Sequence, residues 1–182
     1  HFPIRNRGTF CGSLAHSDPA SEWALVLAAL DGEVLAKSAR GERVIAARDF
    51  FQGIMTTALR DDELLAEARL PVLATGTRCG FYEFSRRAGD FALAASLVTY
   101  RIEGGKIVEA LVALGGVEVS PRRIAEAERA LAGAEPGDKA FRAAAAAAAA
   151  VVDPMEDIVN TADFRRDLVL AVTRRALERA AK

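Results

Sequence analysis

Cysteine and histidine are scarce in this chain. Cys11 and Cys79 are its only cysteines, and His1 and His16 its only histidines, among 182 residues. Two cysteines so far apart build no disulfide framework, no Cys-x-x-Cys pair occurs, and two histidines alone do not make a usual zinc site. That usage fits a reducing compartment, and we expect the cytoplasm. Charge of one sign is also lacking. The formal net charge is −1, so nothing attracts nucleic acid through bulk electrostatics. Basic clusters stand at Arg86-Arg87, Arg122-Arg123 and Arg165-Arg166, each with acidic residues close by. No apolar run reaches the length of a membrane span; Ala143 to Val152 falls short and sits among charges. No signal-peptide pattern is read. Neither a G-x-G-x-x-G fingerprint nor a Walker A motif occurs, and no Ser-His-Asp arrangement, carboxylate pair or metal cluster stands out.

What is present is a real core and a soluble surface. Hydrophobic residues make up 51% and charged residues 27%, enough for one large domain or two small ones. Ser17 to Asp31 reads as a helix with Asp18 as its cap and Trp23, Val26, Leu27 and Leu30 as its apolar stripe. Residues 33–38 and 43–46 read as a hairpin, 49–53 as a short helical or irregular piece, and 63–71 as a strand. Pro71 to Gly80 is the best domain boundary, dividing the chain into 1–73 and 78–182. Beyond it, Phe91 to Glu103 alternates as a strand. Gly104-Gly105 is a tight hairpin turn, and Lys106 to Val117 is the partner strand. A third strand or a helical layer must cover that pair. Three helices follow. One starts at Ser120-Pro121, one is the alanine-rich run from Lys139 to Val152, and a last one is capped by Thr161 or Asp163, with Phe164, Leu168, Ala171, Val172 and Ala176 buried.

The chain's opening is dense in turn-forming, hydrogen-bonding and cationic residues. Residues 1–4 read as the end of a strand and Asn6-Arg7-Gly8-Thr9 as a turn. So elaborate a loop normally lies between elements, and the chain looks cut from something larger. Gly8 and Gly12 leave room for backbone to approach a bulky ligand. Thr9 and Ser13 offer hydroxyls, the loop's N–H groups can hold an anion, and Asp18 or Glu22 can accept from ribose or ribityl hydroxyls. Two readings stay open on these residues alone: one wall of a dinucleotide site, or a tight surface turn before an ordinary helix cap.

The run from Ile4 to Ala20, Ile-Arg-Asn-Arg-Gly-Thr-Phe-Cys-Gly-Ser-Leu-Ala-His-Ser-Asp-Pro-Ala, resembles the second FAD-binding segment of the medium, FAD-binding (PCMH-type) subunits of the molybdenum hydroxylases. That family includes the medium subunit of aerobic carbon monoxide dehydrogenase and the flavin domain of xanthine dehydrogenase. The chain departs from the family pattern at Phe10-Cys11-Gly12, where the family has Ile-Gly-Gly. Gly80 to Leu93 resembles the entry to the family's C-terminal domain, and Leu114-Gly115-Gly116-Val117, Asp163-Phe164-Arg165-Arg166 and Thr173 to Leu177 fit it as well.

The resemblance implies an α+β fold: the second lobe of a PCMH-type FAD-binding domain, then a small domain of antiparallel sheet plus helical bundle. It implies FAD as cofactor, with a first FAD lobe preceding His1. Molybdopterin is expected in a large partner subunit and [2Fe-2S] centres in a small one. The implied function is electron transfer from those centres to FAD and on to an external acceptor, the chain alone being inactive. Thr9, Phe10, Cys11, Gly12 and Ser13 would lie against the FAD phosphates and ribityl, Asp18 and Glu22 on the next helix's first turns, and Leu65 near the flavin. Tyr82 would lie close to the isoalloxazine, or else serve as a core or interdomain aromatic. At least one of Arg86 and Arg87 would pair with Glu83 or Asp90 and fasten the second domain to the first, and His16 would hydrogen-bond within the loop. The alternative function is a structural or interaction fragment that holds no flavin by itself.

Overall fold

A computed structural model describes residues 2–182, with side chains from Arg5 onward. The chain enters in helix rather than strand. Helix α1 is Phe2–Arg7 and α2 is Phe10–His16. This corrects the expected strand and free turn; His1, also assigned to that strand, lies outside the described residues. The cause is local. Thr9 is extended at φ −118° and its hydroxyl accepts from Gly12 N–H at 3.0 Å, a side-chain cap that satisfies one of the helix's orphan donors.

Ser17 closes α2 in the left-handed region at φ 54°. Asp18 precedes a proline and is thereby biased away from helical backbone; its carboxylate accepts from Ala20 N–H at 2.9 Å. The next helix therefore starts later than expected: α3 is Glu22–Ala29, with Ser21 in the N-cap position. It buries Ala24, Leu25, Leu27, Ala28 and Ala29. Trp23, expected in the stripe, is 52% exposed and meets the Phe10 ring edge-on at 5.1 Å.

Strands β1 (Glu33–Ser38) and β2 (Gly41–Ala46) form the expected hairpin, followed by α4 (Ala47–Phe50). Strands β3 (Phe51–Gly53) and β4 (Thr56–Thr57) make a small two-stranded turn, and β5 (Leu64–Arg69) returns to β1. The resulting sheet has order β2-β1-β5. Leu14, Leu27, Val34, Ile45, Phe50 and Phe51 pack beneath it, with Phe10 and Leu65 at the margin. Arg43 fastens the sheet's flank through a two-pronged pair with Glu63, both bonds 2.8 Å, the geometry that makes such pairs strong.

A second, fully antiparallel sheet runs β6-β7-β8-β9, comprising Arg78–Phe84, Ala94–Glu103, Lys106–Gly115 and Arg122–Arg123. Gly104 and Gly105 turn the β7–β8 hairpin with φ of 55° and 78°, as a two-residue turn with both φ positive requires. Strand β7 is buried on both faces. Val98 and Tyr100 belong to the core shared with the three C-terminal helices, while Ala95 and Leu97 pack with Leu25 and Ala29 of α3.

Those helices are α5 (Ala125–Leu131), α6 (Asp138–Val151) and α7 (Ala162–Ala180). Helix α5 does not begin at Ser120-Pro121. Arg122 and Arg123 first pair with β8, and Ile124 N–H donates to Val112 O at 2.7 Å, so the ladder claims residues that local pattern assigns to a helix. In α6 the small side chains of Ala144, Ala145, Ala148 and Ala149 are buried. Thr161 caps α7 through Phe164 N–H. The α7 stripe is rotated from expectation: Phe164 is 41% exposed, whereas Arg165 lies inside. At Gly80, a Cβ would fall 2.0 Å from Ala176 O. Only glycine admits α7 that close to β6.

Candidate functional site

The opening helix pair sets out most of the residues singled out from sequence. Thr9, Phe10, Cys11, Gly12 and Ser13 form the start of α2, on the surface of the small sheet's core. Thr9 Oγ1 and Gly12 N–H are engaged with each other. Cys11 has ordinary helical backbone and no positive φ, so glycine's freedom is not needed there. Both cysteines are free, Cys11 half-buried and Cys79 exposed. Phe10 and Leu65 each pack against the small sheet's core. His16 is exposed in the last turn of α2.

Between the segment leading into α3 and the second sheet lies an open cleft of about 480 Å³. Three stretches form its walls: Asp18–Ala20, the Ile54-Met55 turn, and the loop over residues 86–93, which carries Phe91. Gly116 and Arg165 back it. Each wall is held by a specific contact. Ser17 O accepts from Met55 N–H at 3.0 Å, and Ser17 Oγ lies 3.1 Å from both Gly53 O and Thr56 O. That clamp holds Met55 at φ 53°, an uncommon position for a side chain with such bulk. Gly116 N–H donates to Pro19 O at 2.7 Å. Gly116 itself sits at φ 73°, where a Cβ would fall 2.8 Å from Ala92 O. Arg165 donates to Leu93 O at 2.8 Å and Gly116 O at 2.7 Å, and pairs with Asp157 at 2.8 Å. Asp157 is held down to about 2, first by the Asn160 side chain and then by the Val159 N–H.

Phe91, Gly116 and Arg165 were not singled out as site residues from sequence. The available signal was the Gly115-Gly116 pair and the Gly89-Asp90-Phe91 turn; Phe91 read instead as the start of a strand that begins at Ala94. An apolar rim with a few polar groups, in a volume of this order, is the usual make-up of a small-molecule site. Among the described residues no group of three His, Cys, Asp or Glu is placed to hold a metal ion.

Strand alternation separates Tyr82 from the opening helices. Phe81 packs with the α3 side of the sheet, while Tyr82 and Phe84 pack with the helical side. The Tyr82 ring lies 4.5 Å from the Arg179 guanidinium and 5.0 Å from that of Arg175, and its hydroxyl accepts from Arg175. The structure thus places Tyr82 against α7 and does not bring it to the Thr9–Ser13 segment. Glu83 points the other way. Burial, and then the nearby Glu22 carboxylate, push its carboxyl up. Arg86 and Arg87 do not pair with Glu83 or Asp90. Arg87 contributes its carbonyl instead, to Ser85 Oγ at 2.8 Å and Asp90 N–H at 3.0 Å.

Residues 1–73 match the FAD binding domain in molybdopterin dehydrogenase, and residues 80–180 match the CO dehydrogenase flavoprotein C-terminal domain. The chain belongs to the FAD-binding medium-subunit family of the molybdenum hydroxylases. Among members of that family, the nicotine 6-hydroxylase medium subunit of Paenarthrobacter nicotinovorans is 39% identical over 180 residues, 99% of this chain and 63% of that one. The carbon monoxide dehydrogenase medium chain of Afipia carboxidovorans is 34% identical, over 97% of this chain and 62% of its own. The solved quinoline 2-oxidoreductase from Pseudomonas putida 86 superposes with a TM-score of 0.94 at 34% identity, covering 100% of this chain and 63% of that one. The chain therefore spans under two thirds of the length of these family members. Its mixed α+β architecture of antiparallel sheets and helices is that of the family's domain pair, and the module over residues 1–73 is the family's FAD-binding one.

Proposed function

We propose that this chain is part of the FAD-holding electron-transfer subunit of a molybdenum hydroxylase complex. In this reading it divides into a flavin-lobe portion, 1–73, and a C-terminal domain, 78–182. It works in the cytoplasm beside a large molybdopterin subunit and a small iron-sulfur subunit, with a first FAD lobe completing the site. Among the described residues no helix is long and apolar enough to cross a membrane. When bound, FAD supplies the ability to take electrons from iron-sulfur centres and release them to an external acceptor.

The residues present fit such a group. A cleft rimmed by Ile54, Met55 and Phe91 suits a flat aromatic ring system, and Asp18, Arg86, Asp90 and Arg165 are the charged groups beside it. Close backbone approach at Gly116, where a Cβ would collide with Ala92 O, keeps the walls near one another. Under this proposal Thr9, Phe10, Cys11, Gly12 and Ser13 present the α2 surface to the phosphate and ribityl portion. Asp18 and Glu22 accept from hydroxyls, and Leu65 with Phe10 supplies apolar support. Tyr82 holds α7 to the sheet rather than touching flavin. The observation that carries the reading is the FAD-module match over the segment that forms one wall of the cleft.

The test is direct. The subunit, purified with its complex, is expected to carry flavin absorbance at one FAD per chain. Bleaching of that absorbance by the complex's substrate would report the electron path. A complex that purifies active yet free of flavin would overturn the proposal.

A further inference from the structure

We propose that Arg165 is a positioning residue for the flavin: it fixes the wall of the cleft and places a permanent positive charge behind it. The inference rests on the FAD reading above. Arg165 is 6% exposed, on a helix position where burial of a guanidinium needs a reason, since uncompensated buried charge is costly. Its partners supply that reason. Nη1 donates to Leu93 O at 2.8 Å and to Gly116 O at 2.7 Å, and Nη2 pairs with Asp157 at 2.8 Å. Leu93 ends the loop that carries Phe91, and Gly116 holds Pro19 through its N–H. One planar fork therefore ties two of the cleft's three walls, the 86–93 loop and, through Gly116, the Asp18–Ala20 segment, to each other and to the loop over residues 153–160.

The charge is directed as well as the geometry. The Asp157 side chain is 39% exposed and that of Arg165 only 7%, so water screens the anion more than the cation. Arg165 Nε is buried with no protein partner, and two of the guanidinium's three hydrogen-bond partners are neutral carbonyls of the cleft wall. Asp18, Arg86 and Asp90 also border the cleft, but none of them is buried, so water screens their charges more than that of Arg165. A fixed cation beside a flavin stabilises the negative charge that the ring gains on reduction, because preorganised charge near a developing anion needs no reorganisation.

The two roles separate by substitution. Arg165→Lys keeps the charge but not the fork, since an ammonium is a point donor that does not span three partners in one plane. Arg165→Gln removes both. In the intact subunit within its complex, FAD affinity, flavin midpoint potential and thermal midpoint are measured side by side. Arg165→Lys is expected to weaken FAD binding roughly tenfold, the effect of losing one hydrogen bond to a charged group, with the potential near wild type. Arg165→Gln is expected to weaken binding as much and also to lower the potential. Asp157→Asn leaves both wall bonds in place and is expected to lower the thermal midpoint and raise the potential at unchanged affinity.

Folded Arg165 variants with wild-type affinity and potential would overturn the proposal while leaving the FAD reading intact. Should the Arg165 variants fail to fold, an unmoved potential in Asp157→Asn overturns the charge role. Wild-type protein that holds no flavin removes the FAD reading, and this proposal with it.

Discussion

Gly116 N–H donates to Pro19 O at 2.7 Å, and this bond joins the residues leading into α3 to the end of β8. The contact is possible because Gly116 holds φ 73° with Ala92 O only 2.8 Å from where a Cβ would stand. Gly116→Ala is therefore expected to cost about 1–2 kcal/mol for the left-handed backbone alone, with displacement of Ala92 in addition. Thermal melting measures the loss. Because Ala92 and Pro19 both line the cleft, flavin content should fall with it. A variant as stable as wild type would show that the chain relaxes freely here.

Tyr82 offers a contrast between packing and flavin chemistry. Tyr82→Phe removes the hydroxyl that Arg175 uses but keeps the ring beneath two guanidinium groups. It should cost about 1 kcal/mol or less. Tyr82→Ala removes the ring and both cation–π contacts and should cost about 2–4 kcal/mol. Since the side chain faces α7, flavin reduction and reoxidation rates should stay at wild-type values in Tyr82→Phe. A change in those rates, followed by rapid mixing, would place Tyr82 at the flavin instead.

The parts of the fold legible in the sequence are those fixed by local chemistry. The Gly104-Gly105 hairpin, the strands over 33–38 and 64–69, and the alanine-rich α6 carry their turn residues, alternation or helix propensity within a few positions. Helix α2 was hidden because Gly12, Ser13 and Thr9 read as loop. Its support is tertiary, through Leu14 in a core with Phe50 and Phe51. Strand β9 is two residues long and shows no period. Arg165 was hidden for a related reason: amphipathic pattern assigns an arginine to the outside of a helix, and the carbonyls that hold it inside are remote in sequence. Of the residues singled out from sequence, Asp18 lines the cleft, while Thr9 to Ser13, Glu22 and Leu65 do not; the walls from Ile54-Met55 and the 86–93 loop come from segments remote in sequence and carry no local signal.

The cap of α2 is testable by itself. Thr9→Ala removes the hydroxyl that accepts from Gly12 N–H and should cost about 1 kcal/mol, with Thr9→Ser restoring most of it. Gly12→Ala places a methyl 2.7 Å from Thr9 Oγ1. The gain in helix propensity, about 1 kcal/mol, then opposes the lost cap, and stability should change little. Chemical denaturation of the three variants distinguishes these outcomes. Equal losses in Thr9→Ala and Gly12→Ala would contradict the opposition.

Acid sensitivity follows from two carboxylates. Glu63 is held down to about 2, first by the Arg43 guanidinium and then by the Arg60 N–H, and Asp157 is likewise held down to about 2. A carboxyl lowered on folding stabilises the native state above its unfolded value and loses that contribution as pH falls through its folded value. Stability should therefore decline from about pH 4.5 toward pH 2. In Glu63→Gln the decline should be shallower and the plateau above pH 5 lower. Thermal midpoints recorded across that range check both, and an unchanged slope in the variant would assign the acid loss elsewhere.

Arg165 stands 72 residues beyond Leu93 and 49 beyond Gly116. A ribosome releases chain from the N-terminus at roughly 5–20 residues per second. The opening helices and the 86–93 loop thus emerge seconds before the arginine that fastens them. Until α7 is out, the cleft has walls but no brace. A ligand that needs the braced cleft can bind there only once α7 has emerged and packed.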